Sequence, residues 1–215
     1  MTVRVVPDDD VGRAIAVEVL RDGGIVALPT DTVYGIAVSL ATSGGVERLF
    51  HVKRRPPDRA VMLLLDDAAQ AGEAGSMTPA ATVLGAACWP GGLTVVVPQR
   101  PDVRWPAALT GGSATIGLRV PDHDAPRALA RAVGPLPTTS ANISGAPEAV
   151  DAAGIVAQLG DAIDLVLDGG PAHGGPASTI VDCTGARPAI LRAGAVSAER
   201  VADILATAGI ELATG

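Results

Sequence analysis

Residues 25–28 are apolar, and the run stops at Pro29 before Thr30, Asp31, Thr32, Tyr34 and Gly35. So short an apolar run, opening on hydroxyls, a carboxylate and a glycine, is the pattern of a β-strand delivering the chain into a polar loop where a ligand can sit. Strand-length runs recur at 61–65, 93–97, 115–121, 165–168, 178–182 and 189–192, after a first short strand at 3–6. Helical signals lie between them. Asp8, Asp9 and Asp10 cap a helix carrying Val11, Ala14, Ile15 and Val19, which Gly23 and Gly24 end. Val46, Leu49 and Phe50 form an apolar stripe on a helix over 43–51, and Thr78 with Pro79 opens a helix over 79–88. Further helices are expected over 124–133 and 147–159, and a last one is capped by Ser197 and reaches about residue 208. Residues 99–112 read as irregular, and 137–145 as a second hydroxyl-rich loop. The mixture predicts an α/β fold, a twisted mixed sheet flanked by helices.

A chain of 215 residues that is 48% hydrophobic can bury a sizeable core and suits one domain over residues 1–215. Aromatics make up only 2%, so that core is built from Ala, Val, Leu and Ile. The net charge of −7 argues against a surface that grips nucleic acid everywhere, while leaving room for a local basic groove on an acidic body. Cys88 and Cys183 lie far apart without ligand spacing, and the N-terminus lacks a basic segment followed by an apolar core. A soluble, cytoplasmic protein without a membrane segment is expected, because no apolar run approaches the roughly 20 residues a membrane helix needs.

Lys53, the chain's only lysine, begins a basic stretch with Arg54 and Arg55 that continues to Arg59. Such a stretch serves a polyanion or forms a solvated face, just as Thr30 and Thr32 either meet a ligand or cap a turn. Arg119, close to the end of an apolar segment, requires a partner, whether a ligand or an ion pair to a neighbouring strand. The hydroxyls, the Asn142 amide and the arginines bind phosphate and carboxylate. His51, His123 and His173 are isolated from one another and read as surface or structural residues. No HExxH, GxSxG, paired-cysteine or GxxxxGK[ST] signature is present.

Seven ordered blocks carry a resemblance. They are Pro29-Thr30-Asp31-Thr32-Val33-Tyr34-Gly35, Lys53-Arg54-Arg55-Pro56, Trp89-Pro90-Gly91-Gly92-Leu93-Thr94, Gly117-Leu118-Arg119-Val120-Pro121, Thr139-Ser140-Ala141-Asn142-Ile143-Ser144-Gly145, Ser178-Thr179-Ile180-Val181-Asp182 and Leu191-Arg192-Ala193-Gly194. Over roughly residues 10–200 the chain resembles the YrdC/Sua5/TsaC family, whose members are threonylcarbamoyl-AMP synthases. The resemblance implies a YrdC-like domain with a basic concave groove that joins L-threonine, bicarbonate and ATP into L-threonylcarbamoyladenylate and pyrophosphate. That product is the donor for N6-threonylcarbamoyladenosine at position 37 of tRNA, through a threonylcarbamoyl transferase complex.

Matched by motif position, the resemblance implies Lys53 and Arg55 as catalytic and Thr32, Arg119, Ser140 and Ser178 as the threonine side. It places Arg55, Arg59, Thr115, Asn142 and Arg192 on the ATP side, with Mg²⁺ carried by the phosphates rather than by a dedicated protein site. Weak tRNA binding is the possible further contact, and a non-catalytic RNA-binding protein assisting tRNA or rRNA maturation is the alternative function. Carbamoyl transfer, as in hydrogenase maturation proteins, lacks here the acylphosphatase and zinc-finger segments that accompany it there. The chain departs from the family pattern at Gly92 and Ala193, where proline is common and a looser turn is expected, and at Leu64, where longer members carry a histidine. The short bacterial form, without the extra C-terminal domain, is expected.

Overall fold

A computed structural model describes residues 2–54, 60–172 and 175–213. In chain order its elements are β1 (Arg4–Pro7), α1 (Asp10–Arg21), β2 (Val26–Leu28), β3 (Gly35–Ala37), α2 (Gly45–Lys53), β4 (Met62–Leu64), α3 (Ala68–Ala74), α4 (Pro79–Cys88) and β5 (Leu93–Pro98). There follow α5 (Ala107–Thr110), β6 (Thr115–Arg119), α6 (Asp124–Val133), β7 (Leu136–Ser140), α7 (Ala152–Leu159), β8 (Leu165–Asp168), β9 (Thr179–Asp182), β10 (Ala189–Arg192) and α8 (Ala198–Thr207). The strands form a single mixed sheet in the order β1-β8-β2-β3-β7-β4-β6-β5-β9-β10. Caps set several helix starts: Asp9, Asp67, Thr78, Asp151 and Ser197 each accept a first-turn backbone N–H.

Four elements differ from the sequence reading. Residues 137–140, expected as the start of a loop over 137–145, instead belong to β7 in the middle of the sheet, pairing antiparallel with β3 and β4. Pro137 hides that strand in the sequence because it cannot donate to a ladder; its carbonyl still accepts from Val38 N at 3.3 Å. β3 is only three residues long, and α3 is an alanine-rich helix without a periodic apolar stripe. Helix α7 starts at Ala152 rather than 147, where Asp151 supplies the cap.

The two faces of the sheet are used differently. On one, Leu63, Val95, Val97, Ile116, Leu118 and Val181 pack with the buried sides of α2, α4, α7 and α8 into the larger core. On the other, Val26, Leu28, Leu64, Leu136 and Leu165 pack under α1 and α6 into a smaller one. Because side chains alternate along a strand, residues one step out of phase with the larger core face this second side. On β6, β5 and β9 that side is not covered by α1 and α6, and with the adjoining part of β4 it becomes the floor of a cleft.

A candidate active-site cleft

The cleft encloses about 970 Å³, part of it open to solvent. Its floor is read off the strand alternation: Met62 and Leu64 from β4, Thr94 and Val96 from β5, Thr115, Gly117 and Arg119 from β6, and Ile180 from β9. The loop after β2 contributes Thr30, Thr32 and Tyr34, the end of β7 contributes Ser140, and Ser178 and Arg192 close the far side. Gly35 begins β3 against β7 because an added Cβ would lie 2.7 Å from the Thr138 methyl.

Arg119 is only 3% exposed. Its Nη2 donates to Asp31 Oδ1 at 2.7 Å, its Nη1 to Thr32 Oγ1 at 2.9 Å and its Nε to the Gly91 carbonyl at 3.0 Å. Burial pushes the guanidinium below its usual value and nearby Arg192 adds in the same direction, while Asp31 opposes both. Thr32 continues the line of donors. Thr30 Oγ1 donates to the Val33 carbonyl at 2.7 Å and lies 3.1 Å from Thr32 Oγ1, so the proton between the two threonines comes from Thr32.

Across the cleft Arg192 donates from Nε and Nη2 to the Ser178 carbonyl, at 3.0 and 2.7 Å, and from Nη2 to Ser178 Oγ at 3.0 Å. Ser178 and Thr94 lie oxygen to oxygen at 2.9 Å. Desolvation also lowers the Arg192 pKa, and Glu148, another cleft residue, works against it. Two guanidinium groups of one sign therefore face a common space lined by hydroxyls, an arrangement that an anion between them stabilises.

Six of the residues expected from the sequence meet here: Thr32, Thr115, Arg119, Ser140, Ser178 and Arg192. Lys53 is placed elsewhere. It closes α2, is 2% exposed, and its ammonium donates to the Ser140 carbonyl at 2.5 Å, the Asn142 carbonyl at 2.6 Å and Asn142 Oδ1 at 3.1 Å. Asn142 also lies beneath that turn, accepting from Ser140 Oγ at 2.6 Å and donating to the Ala146 carbonyl at 2.7 Å. Arg55 and Arg59 lie outside the described residues. Leu64 faces the cleft as an aliphatic wall. Gly92 is not a loosened turn, because an added Cβ would lie 2.6 Å from the Ala195 Cβ.

Three cleft features escaped the sequence reading: Thr94, Glu148, and Asp31 as the partner of Arg119. Thr94 had a signal, since it is the one hydroxyl in an otherwise aliphatic strand. Asp31 had none, standing 88 residues from its partner.

Residues 18–194 match the protein family described as "Telomere recombination", which groups Sua5, YciO and YrdC. A Mycobacterium tuberculosis protein named as a candidate threonylcarbamoyl-AMP synthase is 43% identical over 195 residues, 90% of this chain and 89% of its own length. The threonylcarbamoyl-AMP synthase of Bacillus subtilis is 33% identical over 200 residues, 92% of this chain and 57% of its own. Among solved structures, Pyrococcus abyssi Sua5 complexed with L-threonine superposes with a TM-score of 0.88 at 30% identity, covering 99% of this chain and 63% of that one. This chain therefore spans less than two thirds of those last two proteins. The match over most of its length makes it a member of the Sua5/YciO/YrdC family.

Proposed function

We propose that this protein is a threonylcarbamoyl-AMP synthase, condensing L-threonine, bicarbonate and ATP into threonylcarbamoyl-AMP and pyrophosphate as the donor for tRNA modification. The observation that carries the reading is the pair Arg119 and Arg192, two guanidinium groups facing one hydroxyl-lined cleft within reach of each other's field. The chemistry suits such a site. The threonine amine and bicarbonate give a carbamate as the new N–C bond replaces a C–OH bond and water leaves. An anionic carbamate oxygen then forms a bond to the α-phosphorus as the bond to the bridging oxygen breaks and pyrophosphate leaves. That displacement needs no side chain to take a proton from the nucleophile. It needs charge neutralised and the reactants aligned.

In this reading Arg119, held by Thr32, meets the threonine carboxylate from the end of β6 with Ser178 beside it, and Arg192 meets phosphate oxygens from the end of β10. Lys53 and Asn142 act from below, holding the turn that presents Ser140. Arg55 and Arg59 are proposed for the triphosphate on the strength of their motif alone.

Mg²⁺ fits this donor set as an ion brought by the nucleotide. The described residues gather no cluster of three or more His, Cys, Asp or Glu, and Glu148 is the carboxylate on the cleft wall among them. Phosphate oxygens would hold the ion, with Glu148 placed to take part from the wall, and it would supply neutralisation of phosphate charge. No helix among the described residues is long and apolar enough to cross a membrane, and a reaction that uses ATP and serves tRNA belongs in the cytoplasm. The receiving partner is the threonylcarbamoyl transferase complex.

An omission series tests the function. Protein with ATP and Mg²⁺ should release pyrophosphate only when threonine and bicarbonate are both present. Release indifferent to threonine would end the synthase reading, and tight, salt-dependent RNA binding without turnover would carry the alternative.

A further inference from the structure

Ser178 is 1% exposed, and its hydroxyl has one proton to give and two lone pairs to fill. Arg192 fills one of them, because a guanidinium donates and never accepts. The remaining neighbour is Thr94 Oγ1, 2.9 Å away on the adjacent strand β5 and itself 1% exposed. Two arrangements of that contact exist. In one, Ser178 donates to Thr94, and Thr94 passes its own proton to Met62 Sδ at 3.7 Å, a weak acceptor. In the other, Thr94 donates to Ser178, both lone pairs of Ser178 are filled, and its proton points to whatever acceptor occupies the cleft.

The second arrangement exchanges a poor bond to sulfur for a charge-assisted bond to a carboxylate, so an anionic ligand selects it. We propose that Thr94 is a positioning residue that commits the Ser178 hydroxyl to donate into the cleft, making this wall selective for the carboxylate of the amino-acid substrate. The proposal rests on the synthase reading for the identity of that substrate. Sheet geometry holds the relay in place: Leu93 and Val95 on either side of Thr94 are locked into the larger core, and β5 pairs in register with β9. Diagonally across the ladder from Thr94, Gly117 (the partner of Val96) leaves the floor without a side chain; a Cβ there would meet the Thr94 methyl at 3.5 Å.

The test is threonine binding by calorimetry, beside steady-state kinetics, for the wild type, Thr94→Val and Thr94→Ser. Valine keeps the shape and removes the donor. Thr94→Val should weaken threonine binding and raise the threonine KM by about tenfold while the ATP KM stays within twofold, the loss expected for one hydrogen bond to a charged group. Thr94→Ser should return threonine affinity to within about threefold of wild type. Wild-type affinity in Thr94→Val, or equal losses for threonine and ATP, would overturn the proposal. If the valine variant does not fold, Thr94→Ser against Thr94→Cys decides, since the thiol keeps the branching of the serine side chain and is a much weaker donor; equal threonine affinity in that pair would overturn it. A wild-type protein that does not bind threonine would overturn the synthase reading instead.

Discussion

Arg119 Nη2 and Asp31 Oδ1 are 2.7 Å apart, joining the end of β6 to the loop after β2 through a guanidinium that is almost wholly buried. An arginine there serves fold and ligand at once: it satisfies Asp31, Thr32 and the Gly91 carbonyl, and two of its five N–H groups remain for a carboxylate. Loss of the arginine therefore acts on both. Arg119→Ala should lower stability by about 3 kcal/mol, because it leaves a poorly solvated carboxylate without its counterion. Asp31→Ala with Arg119→Ala should cost less than the sum of the two single changes by at least ~1 kcal/mol. Urea unfolding of the four proteins measures both quantities, and strict additivity would mean the pair contributes nothing of its own.

Lys53 makes the opposite case, a cation of a motif that the fold has turned inward. Its ammonium bonds the turn carrying Ser140 and Asn142, so Lys53→Met should lower stability by about 1–3 kcal/mol and raise the KM of both substrates several-fold. A lysine acting as a point charge on phosphate would instead leave the thermal midpoint unchanged and affect ATP alone. Thermal melts run beside kinetics with each substrate varied separate the two.

His123 gives the fold an acid-side sensitivity. Its Nδ1 accepts from Ala125 N at 3.2 Å as the cap of α6, which requires an unprotonated ring nitrogen. Burial pushes its pKa below the usual value and Arg13 adds to this, against Asp8, Asp124 and Asp31. The unfolded chain therefore binds the proton more readily than the folded one, so the contribution is complete above about pH 6.5 and is lost as pH falls through the lower folded value. Thermal midpoints from pH 8 to pH 5 should fall more steeply for the wild type than for His123→Asn, which keeps a capping oxygen without the titration. Parallel curves would remove His123 from the account.

Where local chemistry decides the structure, the sequence was legible. Thr78 with Pro79 opens α4 where expected, α6 fills the helix expected over 124–133, and β8 and β10 follow from their apolar runs. The motif blocks likewise brought Thr32, Arg119, Ser178 and Arg192 to one cleft. What stayed hidden depends on contacts between distant residues. Pro137 reads as a strand breaker, yet β7 tolerates it between two partners. Lys53 reads as a cation for a polyanion or a solvated face, yet it fastens a turn 87 to 89 residues away. Asp31 reads as part of a polar loop, and only the folded sheet supplies Arg119 to it.

The position of Arg192 depends on a glycine two residues later. An added Cβ at Gly194 would lie 2.6 Å from both the Ser178 carbonyl carbon and Thr179 N, so this stretch packs backbone against backbone on residues 177–179. Ala195 N donates to the Ala177 carbonyl at 3.0 Å and Val196 N to Thr179 Oγ1 at 2.9 Å, which fixes the same approach from the next residues. Because the added Cβ would also run into the Ala177 carbonyl oxygen, Gly194→Ala must push the two segments apart by about 1 Å, and the three bonds from Arg192 to Ser178 span that gap. The methyl should cost about 1–3 kcal/mol of stability as an overpacked contact. It should also lower kcat/KM for both substrates by tenfold or more, because the threonine and nucleotide sides meet at this one pair. Ala193→Ser, a change of similar size at an exposed neighbour, should leave both within about twofold and serves as the control. Wild-type kinetics in Gly194→Ala would mean that Arg192 does not need Ser178 to hold it, and that the contact between them is not part of the working site.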